Sequence, residues 1–420
     1  MAMDIPKNRM LWILVIAFVL VAAGAYYYFF QFQQKRAIKI GALFALTGPT
    51  SDVGVDYSLG IRDAVRWIND RGGIRGRKIE LIFNDYSYNI AKARAFYEKY
   101  ITEYGLELIQ GWGTGDTQAL MPLVNKDSVV YMSASYSAAL TDAFYTPYNF
   151  FIGTDYSTSL RLAIKYIKES YSPPPAPPTP SDASAPPTPS QSPKMVFIYP
   201  DHPYGRAPIP AGKRMAAELG IKYGQDQLVA LGAKTAVKEL MKVKEYNPDW
   251  VWLGGTLSSC AVIIRDAGKI GLDTKFIVNT WGFDERLPER AGPYANGRVY
   301  GVMPCAMWGD KVPGMRDIMA AHGKYRSAQT HTIHFVKGWV SMMVMSEAIK
   351  RAGDDVTGPG IRDALETLRN FNIGNLSAPI TYTDRDHRPN SKLKIYKIEA
   401  GKCIPVTEIE MPRDTRFIGW

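Results

Sequence analysis

The side chains best equipped to hold a small molecule lie close together, between Gln110 and Ser137. The run Gly111-Trp112-Gly113-Thr114-Gly115-Asp116-Thr117-Gln118 is followed, after a helical-looking segment, by Ser133-Ala134-Ser135-Tyr136-Ser137. The hydroxyls of Thr114, Thr117, Ser135 and Ser137 can donate or accept, and free backbone N–H groups at a helix start favour negative charge. Together they suit an anionic or carbonyl-bearing ligand. Asp116 has two readings here: it caps the helix and complements its dipole, or it pairs with a cationic ligand group.

Other chemistry is missing. The Gly111-x-Gly113-x-Gly115 spacing imitates a dinucleotide fingerprint, but it follows the third apolar run of the chain, and the next run ends without an acid to hold a ribose. There is no Walker A run, no GxSxG elbow and no HExxH. His331 and His334 sit three apart on a helical stretch with no acid close by in sequence, and read as ordinary helix residues. Asp201-His202 has no nucleophile beside it. Cys260, Cys305 and Cys403 form neither a metal knuckle nor a dense disulfide framework. The expectation is binding without catalysis: not an enzyme, no cofactor and no metal.

The elements that position these residues alternate. Ala37 to Phe44, Lys78 to Asn84, Leu106 to Ile109, Val129 to Met132 and Asn149 to Gly153 read as strands. Between them, Ile61, Ala64, Val65 and Ile68 mark one amphipathic helix, and Asn89 reads as the N-cap of another. The alternation restarts at Met195 to Tyr199, with further strands at Gln227 to Leu231, Trp250 to Leu253, Phe276 to Val278, near Ile380 to Thr383 and at Leu393 to Ile398. The turns Pro200 to Gly205, Gly254-Gly255 and Asn279 to Gly282 end three of these strands. Two βα series in tandem predict two Rossmann-like doubly wound lobes, with ligands at the carboxyl ends of the strands.

The 420 residues allow two ordinary domains, and the formal charge of +10 is scattered, with no nucleic-acid arm. Met10 to Phe30 is an uncharged run long enough to cross a bilayer, closing on Tyr26-Tyr27-Tyr28-Phe29-Phe30, and is expected to be an uncleaved signal anchor. Cleavage after Ala23-Gly24-Ala25 is the competing reading. Either way the bulk of the chain is expected to be exported. Residues 31–37 read as a connector, and the proline-rich stretch 172–193 as a solvated insertion.

Ile40-Gly41 through Thr47-Gly48-Pro49 and Ile68-Asn69-Asp70-Arg71-Gly72-Gly73-Ile74-Arg75-Gly76-Arg77 resemble the opening of the leucine/isoleucine/valine-type periplasmic binding proteins of ABC importers. Thr117-Gln118, Asp266-Ala267 with Gly271-Leu272, and Gly338-Trp339 with Arg351-Ala352-Gly353 continue the resemblance. It spans nearly everything from Ile38 to about Lys397 outside the insertion, and implies two lobes joined by three crossings: 38–155 with 308–378, and 156–307 with 379–420. By position, Thr114 matches the hydroxyl that takes the ligand carboxylate, and Ser135 and Ser137 match the turn that holds its amino end. Tyr204 and Thr256 match closing side chains of the second lobe. Two positions depart from the pattern. Thr280-Trp281 stands where amino-acid binders carry an acid, and Val53 replaces an aromatic. An ammonium buried without a counter-charge is costly, so Trp112, Tyr136, Tyr204 and Trp281 could instead wrap an amide, a urea-like molecule or an aromatic acid.

The expected function is an extracytoplasmic solute-binding protein, monomeric, that closes on a small polar ligand and delivers it to an ABC permease. A ligand-sensing receptor domain of the same fold is the alternative, opposed by the lack of a further span after Trp420. An oxidoreductase using the glycine-rich turn comes third.

Overall fold

The computed structural model describes residues 15–24, 37–172 and 192–419. Strand β1 (Ile38–Phe44) is buried along almost its whole length, as a parallel strand covered on both faces must be. It lies inside a five-stranded parallel sheet of order β2-β1-β3-β4-β5, with β2 at Ile79–Asp85, β3 at Leu108–Gln110, β4 at Val130–Met132 and β5 at Asn149–Phe150. The second sheet begins at β6 (Lys194–Tyr199), followed by β7 (Lys222–Tyr223), β8 (Gln227–Leu228), β9 (Trp250–Leu253), β10 (Lys275–Val278), β11 (Val299–Met303), β12 (Lys392–Glu399) and β13 (Lys402–Glu410). Its order is β13-β12-β11-β10-β9-β6-β7, with β8 also on β6; β12 pairs antiparallel with both β11 and β13, and the other pairs are parallel.

Each sheet and its helices form a lobe with a topological switch point. In the first, the chain leaves β1 toward β2 on one side and β3 on the other; in the second, β6 lies between β7 and β9. Loops after β1 and β3, and after β6 and β9, therefore diverge to leave a crevice, which is where open α/β sheets bind ligands.

Helix Ser51–Asp70 buries Tyr57, Ile61, Ala64, Val65 and Ile68, the spacing seen in the sequence. It crosses Ile333–Ala352 at a point where neither helix has a side chain. A Cβ on Gly60 would lie 2.1 Å from the Phe335 carbonyl oxygen, and one on Gly338 2.0 Å from that of Tyr57. Asn89 does cap helix Ile90–Thr102, accepting from the Lys92 N–H at 3.0 Å.

The connections between the lobes run side by side. Thr154 Oγ1 donates to Asn390 Oδ1 and to the Lys392 carbonyl, each at 2.7 Å, and the Ala306 N–H reaches the Leu376 carbonyl at 2.8 Å.

Some expectations need correction. Ile380 to Thr383 is not a strand: Ile380 makes an isolated bridge to Phe371, and the Thr381 N–H turns to Pro389. β7, β11 and β13 were not anticipated. β7 is two residues long, and β13 is an exposed edge carrying Pro405, so neither shows a buried-strand pattern. Of the expected membrane anchor, residues 15–24 are helical and exposed, and the rest lies outside the described residues. No helix among the described residues is long and apolar enough to cross a membrane. Most of the proline-rich insertion, residues 173–191, also lies outside them.

Candidate functional site

The glycine-rich turn after β3 is shaped by its neighbours. A Cβ on Gly111 would fall 1.9 Å from the Tyr131 ring, and one on Gly113 would fall 2.2 Å from the Tyr88 ring. The glycines therefore admit two tyrosines rather than a pyrophosphate. Gly113 is the N-cap of helix Thr114–Asp127, so Thr114 sits at the first helical position, where backbone N–H groups lack helical partners. Its Oγ1 lies 2.8 Å from Ser135 Oγ, tying the β3 and β4 turns together. Trp112 Nε1 donates to Thr50 Oγ1 at 3.0 Å, which fixes the indole against the loop after β1.

The second lobe faces this surface with Tyr204, Thr256 and Trp281. Tyr204 OH donates to Asn279 Oδ1 at 2.7 Å and lies 3.0 Å from the Gly255 carbonyl, so its ring is held by three strand-end loops. Thr256 is the N-cap of helix Leu257–Lys269, but its buried Oγ1 does not cap that helix and lies beside the Asp52 carboxylate. Trp281 Nε1 donates to Tyr156 OH at 2.9 Å, and its ring packs edge-on to Trp112 at 5.0 Å.

Between the lobes these residues enclose about 270 Å³, counting the part open to solvent. Trp112, Thr114, Tyr204, Thr256 and Trp281 all form the wall, together with Thr50, Val53, Tyr88, Gly113, Ala134 and Tyr156. Ser135, Tyr136 and Ser137, also anticipated as ligand contacts, stand one layer back. Ser135 supports Thr114, Tyr136 packs at 5.6 Å from Trp281, and Ser137 Oγ is buried and unpartnered. The turn after β4 coils into a 3₁₀ segment at Ala138–Leu140, which leaves only Ala134 at the wall. Tyr88, Tyr156 and Thr50 were missed because their aromatic or hydroxyl character has no periodic signal in a loop.

Charge is arranged behind the wall. Asp116 accepts from the Gly113 N–H at 3.2 Å, the capping reading; burial pushes its carboxyl up to about 7 against a lowering contribution from Tyr86. Lys337, on helix Ile333–Ala352, is fully buried; its ammonium lies 4.3 Å from the Trp281 ring centroid and donates to the Thr280 carbonyl. Burial lowers it to about 7, with Cys305, Asp284 and Glu285 opposing. The expectation for the two histidines was incomplete. His331 precedes the helix and pairs with Asp56 at 2.6 Å, while His334 Nε2 lies 3.3 Å from Asp284. Burial would raise Asp284, but His334 and Arg286 hold it down to about 2. No cluster among the described residues has the makings of a metal site.

At the rim, Asp52 of the first lobe accepts from the Ser258 N–H at 2.8 Å and so caps a helix of the second lobe. Arg286 returns the contact, donating to the Asp52 carbonyl at 2.8 Å. Asp52→Ala should remove about 0.5–2 kcal/mol of attraction between the lobes, the usual worth of an N-cap. Small-angle scattering should then give a larger radius of gyration than for the parent chain; an unchanged radius would mean the contact does not hold the lobes together.

A family model described as "Periplasmic binding protein" matches residues 37–402. The Leu/Ile/Val-binding protein of Escherichia coli K12 is 24% identical over 267 residues, a match covering 62% of this chain and 66% of that protein. A leucine-, isoleucine-, valine-, threonine- and alanine-binding protein of Pseudomonas aeruginosa is 22% identical over 76% of this chain and 79% of its own length. Among solved structures, an ABC transporter substrate-binding protein from Aeropyrum pernix superposes with a TM-score of 0.82 at 31% identity, covering 91% of this chain and 98% of that one. A branched-chain amino acid ABC transporter protein from Thermus thermophilus, with bound valine, gives 0.80 at 22% identity over 91% of this chain and 98% of that one.

Proposed function

The chain belongs to the periplasmic binding protein family, with its type I α/β fold, and we propose from that premise that it is an extracytoplasmic solute-binding protein working with an ABC permease. It captures one small ligand between the lobes and hands it on without converting it. The observation that carries this reading is the wall itself: Trp112 and Thr114 come from strand-end loops of one sheet, Tyr204, Thr256 and Trp281 from those of the other. A ligand touching both surfaces favours the closed arrangement by its differential affinity alone. The segments 38–155 with 308–378 and 156–307 with 379–420 act as the two moving bodies, and the adjacent connections near Thr154, Ala306 and Asn390 are the hinge. The names of the relatives support an amino-acid-like or other small polar solute.

Native mass spectrometry of the purified full chain tests the stoichiometry. A single small-molecule adduct is expected. Thr114→Val, which keeps the shape but removes a hydroxyl facing the ligand, should weaken its binding roughly tenfold or more. Binding that is indifferent to Thr114→Val would place the ligand elsewhere.

A further inference from the structure

We propose that the solute is an apolar-bodied monocarboxylate carrying no ammonium group, such as a branched 2-oxo acid or an arylacetate, selected by Trp281 and by Lys337 behind it. This rests on the clamp reading above and narrows its ligand.

The wall offers no negative charge. Its side chains are threonine, tyrosine, tryptophan, valine and alanine, with glycine at Gly113. An α-amino acid presents a carboxylate and an ammonium together, and an ammonium moved from water into such a site without a counter-charge pays a desolvation penalty of several kcal/mol. The nearby carboxylates are engaged elsewhere. Asp116 is turned onto the Gly113 N–H at 3.2 Å. Asp52 is outside the wall with one oxygen on the Ser258 N–H at 2.8 Å. Its other oxygen, Oδ1, is buried without a close hydrogen bond, beside the Thr256 and Ser258 side chains, so it is a carboxylate oxygen that an ammonium in the cleft could seek.

Positive charge and donors, by contrast, converge on the wall from both lobes. Helices Thr114–Asp127 and Leu257–Lys269 start at it, each directing the positive end of its dipole inward. Thr256 Oγ1 is buried there beside the Asp52 carboxylate and makes no close hydrogen bond, so a ligand oxygen entering the cleft competes with Asp52 for its proton. Lys337 then sets the sign of the field. Its ammonium is 4.3 Å from the centroid of the Trp281 ring, which itself faces the ligand space. The groups packed around Lys337 are His334 on its own helix, the Thr280 carbonyl, Asp284 and Glu285 of the loop after β10, and Cys305. Asp284 is shared with His334 and Arg286, and Glu285 accepts from the Trp308 and Ile333 N–H groups. None of the carboxylates makes an ion pair with the lysine within salt-bridge distance among the described residues. In its protonated form Lys337, one ring away, repels a ligand ammonium and attracts a carboxylate, and a bound carboxylate in turn favours that protonated form. The remaining wall, made of Trp112, Tyr88, Tyr156 and Tyr204, suits a flat or branched apolar body.

The test is calorimetry on the full chain, freed of bound solute by dialysis against denaturant and refolded. Four probes are used: 4-methyl-2-oxopentanoate, phenylacetate, leucine and phenylglycine. At least one of the two acids lacking an amine should bind at least tenfold more tightly than the amino acid of the same skeleton. Lys337→Met should lower that affinity roughly tenfold, while Lys337→Arg retains it in part. Tighter binding of leucine or phenylglycine overturns the proposal, and its loss in Asp52→Asn would locate the ammonium at Asp52. Binding of none of the probes overturns it too. The clamp reading fails separately, if the molecule that co-purifies with the chain binds Thr114→Val as well as the parent.

Discussion

Gly338→Ala should destabilise the folded chain by about 3 kcal/mol, the upper end for overpacking a core. The added methyl would be placed 2.0 Å from the Tyr57 carbonyl oxygen and 3.1 Å from the Ile61 backbone nitrogen. Both are backbone atoms, so no rotamer change relieves the clash. Helices Ser51–Asp70 and Ile333–Ala352 must separate, which loosens the Trp67–Trp339 contact at 6.0 Å. Gly60 is equally tight, with an added Cβ 2.1 Å from the Phe335 carbonyl oxygen, so Gly60→Ala should behave alike. Urea unfolding followed by tryptophan fluorescence would measure both. A midpoint unchanged from the parent would mean that the two helices are not in this contact.

Lys337→Met should act in the opposite direction. A buried ammonium whose closest acceptor is a neutral carbonyl costs stability, and replacing buried charges with packed apolar side chains has gained of the order of 1–4 kcal/mol elsewhere. The pH dependence follows from the lowered value of about 7 in the folded chain against the ordinary lysine value of 10.5. Between those values the unfolded chain holds a proton that the folded chain has lost, so the parent gains stability as pH rises from about 7 toward 10.5. The advantage of methionine is therefore fully present below about pH 7 and fades as pH climbs to 10.5. Melting temperatures of parent and variant across this range should converge at the alkaline end. A variant that is less stable at pH 6 would show that the ammonium is well solvated or paired. A lysine kept at such a cost beside the ligand wall is what a site under functional strain looks like.

The α/β alternation was legible because parallel strands buried on both faces are short apolar runs between polar turns, as at Ile38–Phe44 and Trp250–Leu253. The turn at Gly111 to Gln118 was legible for the same reason. The cause of its glycines was not, since Tyr131 and Tyr88 approach them only after folding. The acids facing His331 and His334 are Asp56 and Asp284, each far away along the chain, and no local pattern announces such pairs. Tyr156 stands at the start of a helix and could equally have been core, and its place in the wall depends on the hydrogen bond from Trp281. Ser135 and Ser137 were legible as polar strand-end residues, but which side chain of a turn reaches the cleft depends on how that turn coils.

The claim on which the rest depends is that one ligand is gripped by both lobes at once. Hydrogen exchange on the full chain, free and loaded with the solute that co-purifies, tests it most directly. Slower exchange is expected in the segments around Gly111 to Thr117 and, with the same ligand dependence, around Tyr204, Gly254 to Ser258 and Asn279 to Gly282. Protection confined to one lobe, or appearing away from these turns, would contradict it.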